Sequence, residues 1–519
     1  MSNYRFSCYP NLAMSWRAAE KEASAVARNT FYNLLGYGIP LLVGVFTIPF
    51  LIRLLGTQRF GILALIWIVF GYFNVFNLGL SRATTKFAAE FRGRGEDQKI
   101  ADYFWTTIIS QGVIGLGGML IVMIVTTYLV ENILKIPPHL VGEAKFSFLI
   151  IALSLPVVIM SASCRGLIEA FQRFDLVNLV KIPSSTANYI LPLVGALLGW
   201  NLVGIVLVIA GARLLTLGAW AGLCFRILPQ LKKKVLFKRE ILKTLFIFGG
   251  WVTISYIITP FLNYIDRFFL GSLINIQAVS YYTVPFELVS KLGIIPASLV
   301  LTLFPSFSAL QGLQAWERIR GMFLSSIKYL TYILGGAVIL LVFLAPFILK
   351  LWIGQDFPQK SAGPLQILTL GVFLNALALV PLSHLQGTGR VDIPGKIYLV
   401  ELLFYLPLSY FLIKYYGLLG AAWAWTLRSS LEAVSLLFFS ARESHIDLAA
   451  MKKTRLGPIL LSIILILIGG LLVGLVNQPF YWAIIVVFIY FGGHACLSFT
   501  PQERRWLWAQ LLTYKRENA

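Results

Sequence analysis

The chain has 519 residues, 58% of them hydrophobic and 13% charged, with a mean hydropathy of +0.80 and a formal net charge of +21. That composition lies far outside soluble globular usage and points to a chain that lives in a bilayer. The four cysteines, at 8, 164, 224 and 496, show neither metal-type spacing nor a disulfide pattern, and the expectation is that they pack as small apolar side chains.

In chain order, the opening segment 1–28 is polar, carries Arg5, Arg17, Lys21 and Arg28, and lacks the apolar run of a cleaved signal peptide. Met14 is an alternative start. Apolar runs of about 20 residues, enough to span a bilayer, then recur. They cover about 30–54, 60–83, 102–130, 145–168, 176–199 and 203–225. A basic connector follows, and six more runs cover about 245–270, 276–304, 324–349, 364–386, 393–413 and 417–440. A last pair covers about 456–476 and 479–499. No connector is long enough for a soluble domain.

The two sets of six share a register. Arg173-Phe174-Asp175 returns as Arg390-Val391-Asp392 at an offset of 217, and lone Arg213 returns as Arg428 at an offset of 215. Leu55-Gly56 and Leu270-Gly271 are again 215 apart, and the turn at Gly199-Trp200-Asn201-Leu202-Val203-Gly204 matches Tyr416-Gly417-Leu418-Leu419-Gly420. Duplication of this kind is a common construction for transporters, whose sites lie between the repeats. The expectation is an all-α polytopic membrane protein of about 14 transmembrane helices, two six-helix lobes related by internal repeat plus a C-terminal helix pair. Its parts are a tail at 1–29, lobes at 30–226 and 244–440, a linker at 227–243, a connector and final helices at 441–500, and a tail at 501–519.

Of the Lys and Arg in connectors, 27 fall in the eight alternate segments beginning with the N-terminal tail and five in the seven opposite. By the positive-inside rule both termini are cytoplasmic. The basic charge therefore needs no nucleic-acid partner, since it sits on no folded soluble surface.

Enzyme signatures are sparse. There is no Gly-x-x-x-x-Gly-Lys-Ser/Thr phosphate loop, no His-Glu-x-x-His, no Gly-x-Ser-x-Gly elbow, and the four histidines form no metal cluster. No catalytic residue, cofactor or metal is expected.

Polar residues inside the spans form stripes. Asn74, Asn77, Ser81 and Thr85 share one helical face, as do Ser255, Thr259, Asn263 and Asp266, and the first span adds Asn29, Asn33 and Tyr37. Such stripes face protein or water, because lipid offers them no partner. Hydrogen bonding between helices satisfies them as well as a cavity does. Full charges near span centres are Arg213, Glu287, Lys291, Glu401, Arg428 and Glu432. Each costs roughly 2.5–3.5 kcal/mol on insertion scales unless paired or hydrated. Glu287 with Lys291, and Arg428 with Glu432, are spaced i, i+4 and can neutralise each other. Arg53, Arg82 and Arg267 lie near span ends, where they can snorkel.

The first helix pair carries Asn29, Pro49 and Arg53, then Leu55-Gly56-Thr57-Gln58-Arg59-Phe60-Gly61, and closes with Asn77-Leu78-Gly79-Leu80-Ser81-Arg82-Ala83. With Asp266-Arg267-Phe268-Phe269-Leu270-Gly271 and Leu303-Phe304-Pro305, this resembles the polysaccharide transporters, the O-unit and exopolysaccharide flippases of the multidrug/oligosaccharidyl-lipid/polysaccharide (MOP) exporter superfamily. The resemblance implies a two-lobed fold with a central cavity that faces each side in turn. It also implies a cargo of oligosaccharide on undecaprenyl pyrophosphate in the inner membrane, moved by an ion gradient or by cargo removal. Cargo contacts are expected from Asn33, Asn74, Asn77, Arg213, Asn263, Asp266, Arg267, Lys291 and Arg428, and ion coupling from Glu287, Glu401 and Glu432. The partners it implies are the lipid-linked oligosaccharide, the bilayer, a polysaccharide polymerase and glycosyltransferases. Competing readings are a lipid II flippase, a multidrug cation antiporter of the same superfamily, and a membrane-embedded polymerase. Large aqueous loops, which a polymerase wants, are missing.

Overall fold

The computed structural model describes residues 10–128, 130–131, 136–233, 235–352, 357–444 and 479–497, and among them there is no strand. In the apolar setting this composition dictates, helices are the answer because each satisfies its own backbone donors and acceptors. The first repeat holds α1 (Pro10–Phe76), α2 (Leu80–Arg94), α3 (Asp97–Tyr128), α4 (Val141–Leu153), α5 (Leu155–Ala170), α6 (Phe174–Leu197) and α7 (Leu202–Ile227). The second holds α8 (Arg239–Leu273), α9 (Ile276–Ser290), α10 (Ile294–Gly312), α11 (Trp316–Trp352), α12 (Phe357–Gly387) and α13 (Asp392–Glu443), followed by α14 (Pro479–Leu497). Nine helical stretches among the described residues are long and apolar enough to cross a membrane. The expected run at 456–476 lies outside the described residues.

Two of the long helices are hairpins. Gly56 breaks α1 with φ 73° and ψ 161°, and Gly417 breaks α13 with φ 59° and ψ −130°. The Tyr189 ring lies against Gly44 and also against Trp67, centroids 5.4 Å apart. In a straight helix those two positions would be about 35 Å apart. Likewise, a Cβ on Gly420 would sit 1.9 Å from the carbonyl oxygen of Leu412, which only a reversal of the chain permits. The turns anticipated at 55–61 and 416–420 are therefore real.

Three expected runs are jointed. The run at 60–83 breaks at Leu78 (φ 47°) and Gly79 (φ 67°), where Asn77 bonds the new helix through Ser81. The run at 145–168 divides at Ser154 ahead of Pro156, and that at 276–304 divides at the 3₁₀ turn Lys291–Gly293. Leu270-Gly271 is no turn. Helix α8 runs on to Leu273, and Asn275 caps α9 by accepting from the Ala278 N–H at 2.8 Å.

The repeat is written in the helix ends. After α5, Gln172 (φ 58°) and Arg173 donate back to Glu169 and Ile168; after α12, Gly389 (φ 85°) and Arg390 donate back to Gln386 and Leu385. Both are paired 6→1 and 5→2 closures of a helix C-terminus, and they keep the offset of 217 seen in the sequence. Each is followed by an ion pair of the same form: Arg173 with Asp175 at 2.8 Å and Arg390 with Asp392 at 3.4 Å. A third match closes α2 at Gly95 and α10 at Gln314.

By contacts the chain divides into unit 1, Met1–Gly249 with Ser298–Ala309, and unit 2, Gly250–Ala297 with Leu310–Ala519. Unit 1 packs around Phe104, Leu167 and Phe174 at one place and Leu155, Leu202 and Ile205 at another. Buried Cys164 and Cys224 belong to it as apolar residues. Helix α2 is held close: a Cβ on Gly249 would meet the Leu78 carbonyl oxygen at 2.4 Å, and one on Gly93 would meet that of Ala309 at 2.4 Å. Unit 2 packs around Leu262, Tyr282, Leu365, Tyr405 and Trp425. Its α14 rests on α11 at adjacent glycines 335 and 336. There the Tyr490 hydroxyl donates to the Thr331 carbonyl at 2.6 Å, and added Cβ atoms would strike Tyr490 and Phe491.

Candidate functional site

In unit 1 three helical stripes converge on one cavity of about 180 Å³. Helix α5 contributes Ser161 and Arg165, α6 contributes Ser184, Ser185 and Asn188, and α7 contributes Arg213, Thr216 and Trp220. Their spacings of three, four and seven put each set on one helical face. Among the described residues no carboxylate lines the wall. Arg213 donates through Nη2 to Asn188 Oδ1 at 3.2 Å, and Arg165 pairs at 3.3 Å with Glu169, one turn along α5. Lys181, on the same face of α6, stands 3.4 Å from the centroid of Tyr37. These polar residues explain why α6 is not among the nine strongly apolar stretches.

Unit 2 holds a different arrangement. Arg428 donates through Nη1 to Glu401 and to Glu432, each at 3.4 Å, and through Nη2 to Asn263 Oδ1 at 3.4 Å. Glu432 also accepts from Asn375 at 3.0 Å and from the Tyr398 hydroxyl at 3.1 Å. Arg428 lies over the rings of Tyr405 and Trp425. All three charged side chains, Arg428, Glu401 and Glu432, are almost wholly buried, at 4%, 2% and 4% exposure. Burial of two carboxylates beside one guanidinium is tolerable only because hydrogen bonds share the charge. Nearby on α8, Asp266 is fully buried and accepts from the Tyr282 hydroxyl and from the Arg267 N–H. Arg267 lies over the rings of Tyr264 and Phe286 and reaches back to the Asn263 carbonyl at 3.3 Å.

So the structure gathers Asn263, Glu401, Arg428 and Glu432 into one network, with Asp266 and Arg267 on the adjoining turn of α8. It leaves others apart. Asn33 is consumed in packing: it donates to the Ser298 carbonyl and Thr302 and accepts from Asn178. Asn77 accepts from Gln111 at 2.7 Å while capping α2. Glu287 and Lys291 pair with each other at 3.1 Å on an exposed face, their side chains 50% and 58% exposed. The Asn74 side chain lies outside those described.

Sequence reading passed over Arg165, Ser184, Ser185 and Asn188, although their helical stripes were there to be found. It also passed over Tyr398, Asn375 and Tyr282. Tyr398 follows from its spacing to Glu401 and Tyr405, whereas Asn375 and Tyr282 come from separate helices and have no local signal.

Comparison with known proteins agrees with this architecture. Residues 26–311 match the family model described as "Polysaccharide biosynthesis protein", and residues 252–411 match the MatE model. A Shigella flexneri protein named "Putative O-antigen transporter" is 30% identical over 424 residues, 80% of this chain and 98% of its own. A Bacillus subtilis membrane protein, EpsK, is 25% identical over 118 residues, 23% of each chain. Among solved structures, a MOP superfamily transporter from Pyrococcus furiosus, whose description speaks of a binding pocket of reverse polarity, superposes with a TM-score of 0.69. It is 15% identical and covers 82% of this chain and 96% of its own. An outward-facing multidrug resistance MATE transporter gives 0.69 at 16% identity, covering 82% and 96%. The chain belongs to the polysaccharide biosynthesis protein family, and it shares the fold of the MOP superfamily transporters.

Proposed function

We propose that this chain is a flippase, not an enzyme. It moves an oligosaccharide linked to undecaprenyl pyrophosphate across the cytoplasmic membrane by alternating access, for O-antigen or exopolysaccharide synthesis. Both termini and the 227–243 linker lie in the cytoplasm, on the strength of the 27-to-five distribution of Lys and Arg. A diphosphate and hydroxylated rings cannot enter hydrocarbon without partners. The observation that supports the reading is the wall in unit 1: two arginines, hydroxyls and an amide, and among the described residues no carboxylate. Arginine meets phosphate through charge-assisted, bidentate hydrogen bonds. Glu401 and Glu432, two acids around one guanidinium, are the proposed place for a coupling proton, with Glu287 as the exposed alternative.

Deleting the gene in its host and following surface polysaccharide tests this. The expected result is loss of surface polysaccharide with accumulation of the lipid-linked precursor on the cytoplasmic leaflet. Normal surface polysaccharide in the deletion strain would refute it. A cation antiporter is the second reading, favoured by the MatE match and the acids of unit 2. In that case the deletion strain gains sensitivity to cationic dyes and keeps its polysaccharide.

A further inference from the structure

The linker that follows α7 is no loose tether. Leu228 and Leu231 are buried in the core of unit 1, the second within the 3₁₀ turn Pro229–Lys232. The Trp105 indole donates to the Leu231 carbonyl at 3.0 Å. Further on, the Lys238 N–H donates to Thr106 Oγ1 at 3.2 Å, and its ammonium pairs with Asp102 at 2.6 Å. Trp105 and Thr106 are neighbours on α3, so residues 232–237 leave one turn of that helix and return to it. The result is a short loop with both ends held close together.

Its cargo of side chains is unlike that of a water-facing loop. From Lys232 to Arg239 the sequence reads Lys-Lys-Lys-Val-Leu-Phe-Lys-Arg, five cations and no acid. Only Lys238 of these has a carboxylate from α3, in Asp102. Val235 and Phe237 are 59% and 49% exposed, and Lys232, Lys233 and Arg239 are exposed with them. The loop joins α7 to α8, both long and apolar enough to cross a membrane. It is pinned on the opening turns of a third such helix, α3. It therefore lies at the level where helices enter the bilayer, whichever side that is. Apolar and aromatic side chains interleaved with lysines suit the headgroup boundary.

We propose that loop 232–239 is a surface anchor for anionic phospholipid. Val235 and Phe237 enter the headgroup boundary, and the lysines beside them meet the anionic headgroups. The assignment goes beyond the flippase reading and stands apart from it, since it needs only that α7 and α8 cross a membrane. A bilayer surface is already present at that level, which favours it over an acidic soluble partner. Pinning gives the contact a consequence: with both ends tied to α3, lipid held by the loop bears on unit 1 itself.

Full-length protein in neutral detergent is titrated with phosphatidylglycerol or with phosphatidylcholine, and thermal unfolding reads the binding. Wild type is expected to respond to phosphatidylglycerol at about tenfold lower lipid concentration, with the preference fading as salt rises. Each lysine near an anionic surface is worth about fivefold. Lys232→Gln, Lys233→Gln and Lys234→Gln together should therefore remove the preference, and arginine at the same three positions should restore it. Should the triple variant fail to fold, Lys232→Gln with Lys233→Gln, both exposed, decides. Phe237→Ser should weaken the response to both lipids alike and leave the preference. As a control, Lys452→Gln, Lys453→Gln and Arg455→Gln remove three cations from another basic connector and should leave it too. A preference retained in a lysine variant that melts like wild type without lipid overturns the assignment. So does an equal loss in the control, which would make the effect one of diffuse surface charge. A retained preference with surface polysaccharide lost in cells would overturn it as well, and would hand the loop to an acidic soluble partner.

Discussion

Helices α6 and α7 of unit 1 and the two arms of α13 in unit 2 are the same device used twice. Each begins after a paired backbone closure, carries an Arg–Asp ion pair at its start, turns at a glycine with positive φ, and places one arginine in the returning arm. In unit 2 that arginine is locked between two carboxylates, an asparagine and two aromatic rings. In unit 1 it borders a cavity with serines and an amide. A buried cation therefore has no fixed role. With acids beside it, it ties helices together; beside serines and an amide, the equivalent cation borders a cavity.

The contrast between the units is tested hardest at Arg428. Arg428→Met leaves Glu401 and Glu432 facing each other in a dry core, and the expected loss of stability is about 3–5 kcal/mol. Thermal unfolding of purified protein reads it, and adding Glu401→Gln and Glu432→Gln should recover most of it. A single variant that melts like wild type would mean that water reaches the cluster.

Next come the two turns. Gly417, at φ 59° and ψ −130°, occupies backbone space that side chains avoid, so Gly417→Ala should cost about 1–3 kcal/mol. Gly199 has φ 73° with nothing within 4 Å of an added Cβ, and Gly199→Ala should cost about 1 kcal/mol. Equal losses would show that the two turns carry equal strain.

Arg213→Met should change stability by about 1 kcal/mol or less, because among the described residues no carboxylate lines its wall, while export of surface polysaccharide is lost. A collapse in membrane abundance like that expected of Arg428→Met would erase the distinction between the units. Smallest of all, Lys291→Ala breaks an ion pair that is half exposed on both sides, worth about 1 kcal/mol or less. Abundance measured by immunoblot should hold. A large fall, rescued by replacing Glu287 as well, would show that the pair is structural.

What the sequence disclosed follows from physics that acts locally. Hydropathy summed over one membrane-spanning length depends on nothing distant, so the helical runs and both glycine hairpins were readable. The offset of 217 was readable because Arg173 and Asp175, like Arg390 and Asp392, are near neighbours in the chain. Joints such as Leu78–Gly79 were not, since a positive φ at a leucine is imposed by surrounding helices, among them Gly249 against the Leu78 carbonyl. The charges of unit 2 were legible as an i, i+4 pair on one helix. Their enclosure by Asn375 and Asn263 was not, because those residues come from separate helices. Arg165 escaped notice for the opposite reason: it belongs to a stripe whose purpose shows only when α5, α6 and α7 are side by side.

The notch on α11 also imposes an order on assembly. Glycines 335 and 336 leave the ribosome about 155 residues before Tyr490, which at roughly 5–20 residues per second is about 8 to 30 s of synthesis. For that interval the glycine face of α11 lacks the Tyr490 and Phe491 contacts of the finished fold. Closure by Tyr490 on the Thr331 carbonyl then follows the synthesis of α11 by that interval. A chain cut short before α14 would carry that open notch permanently, as a standing invitation to quality control.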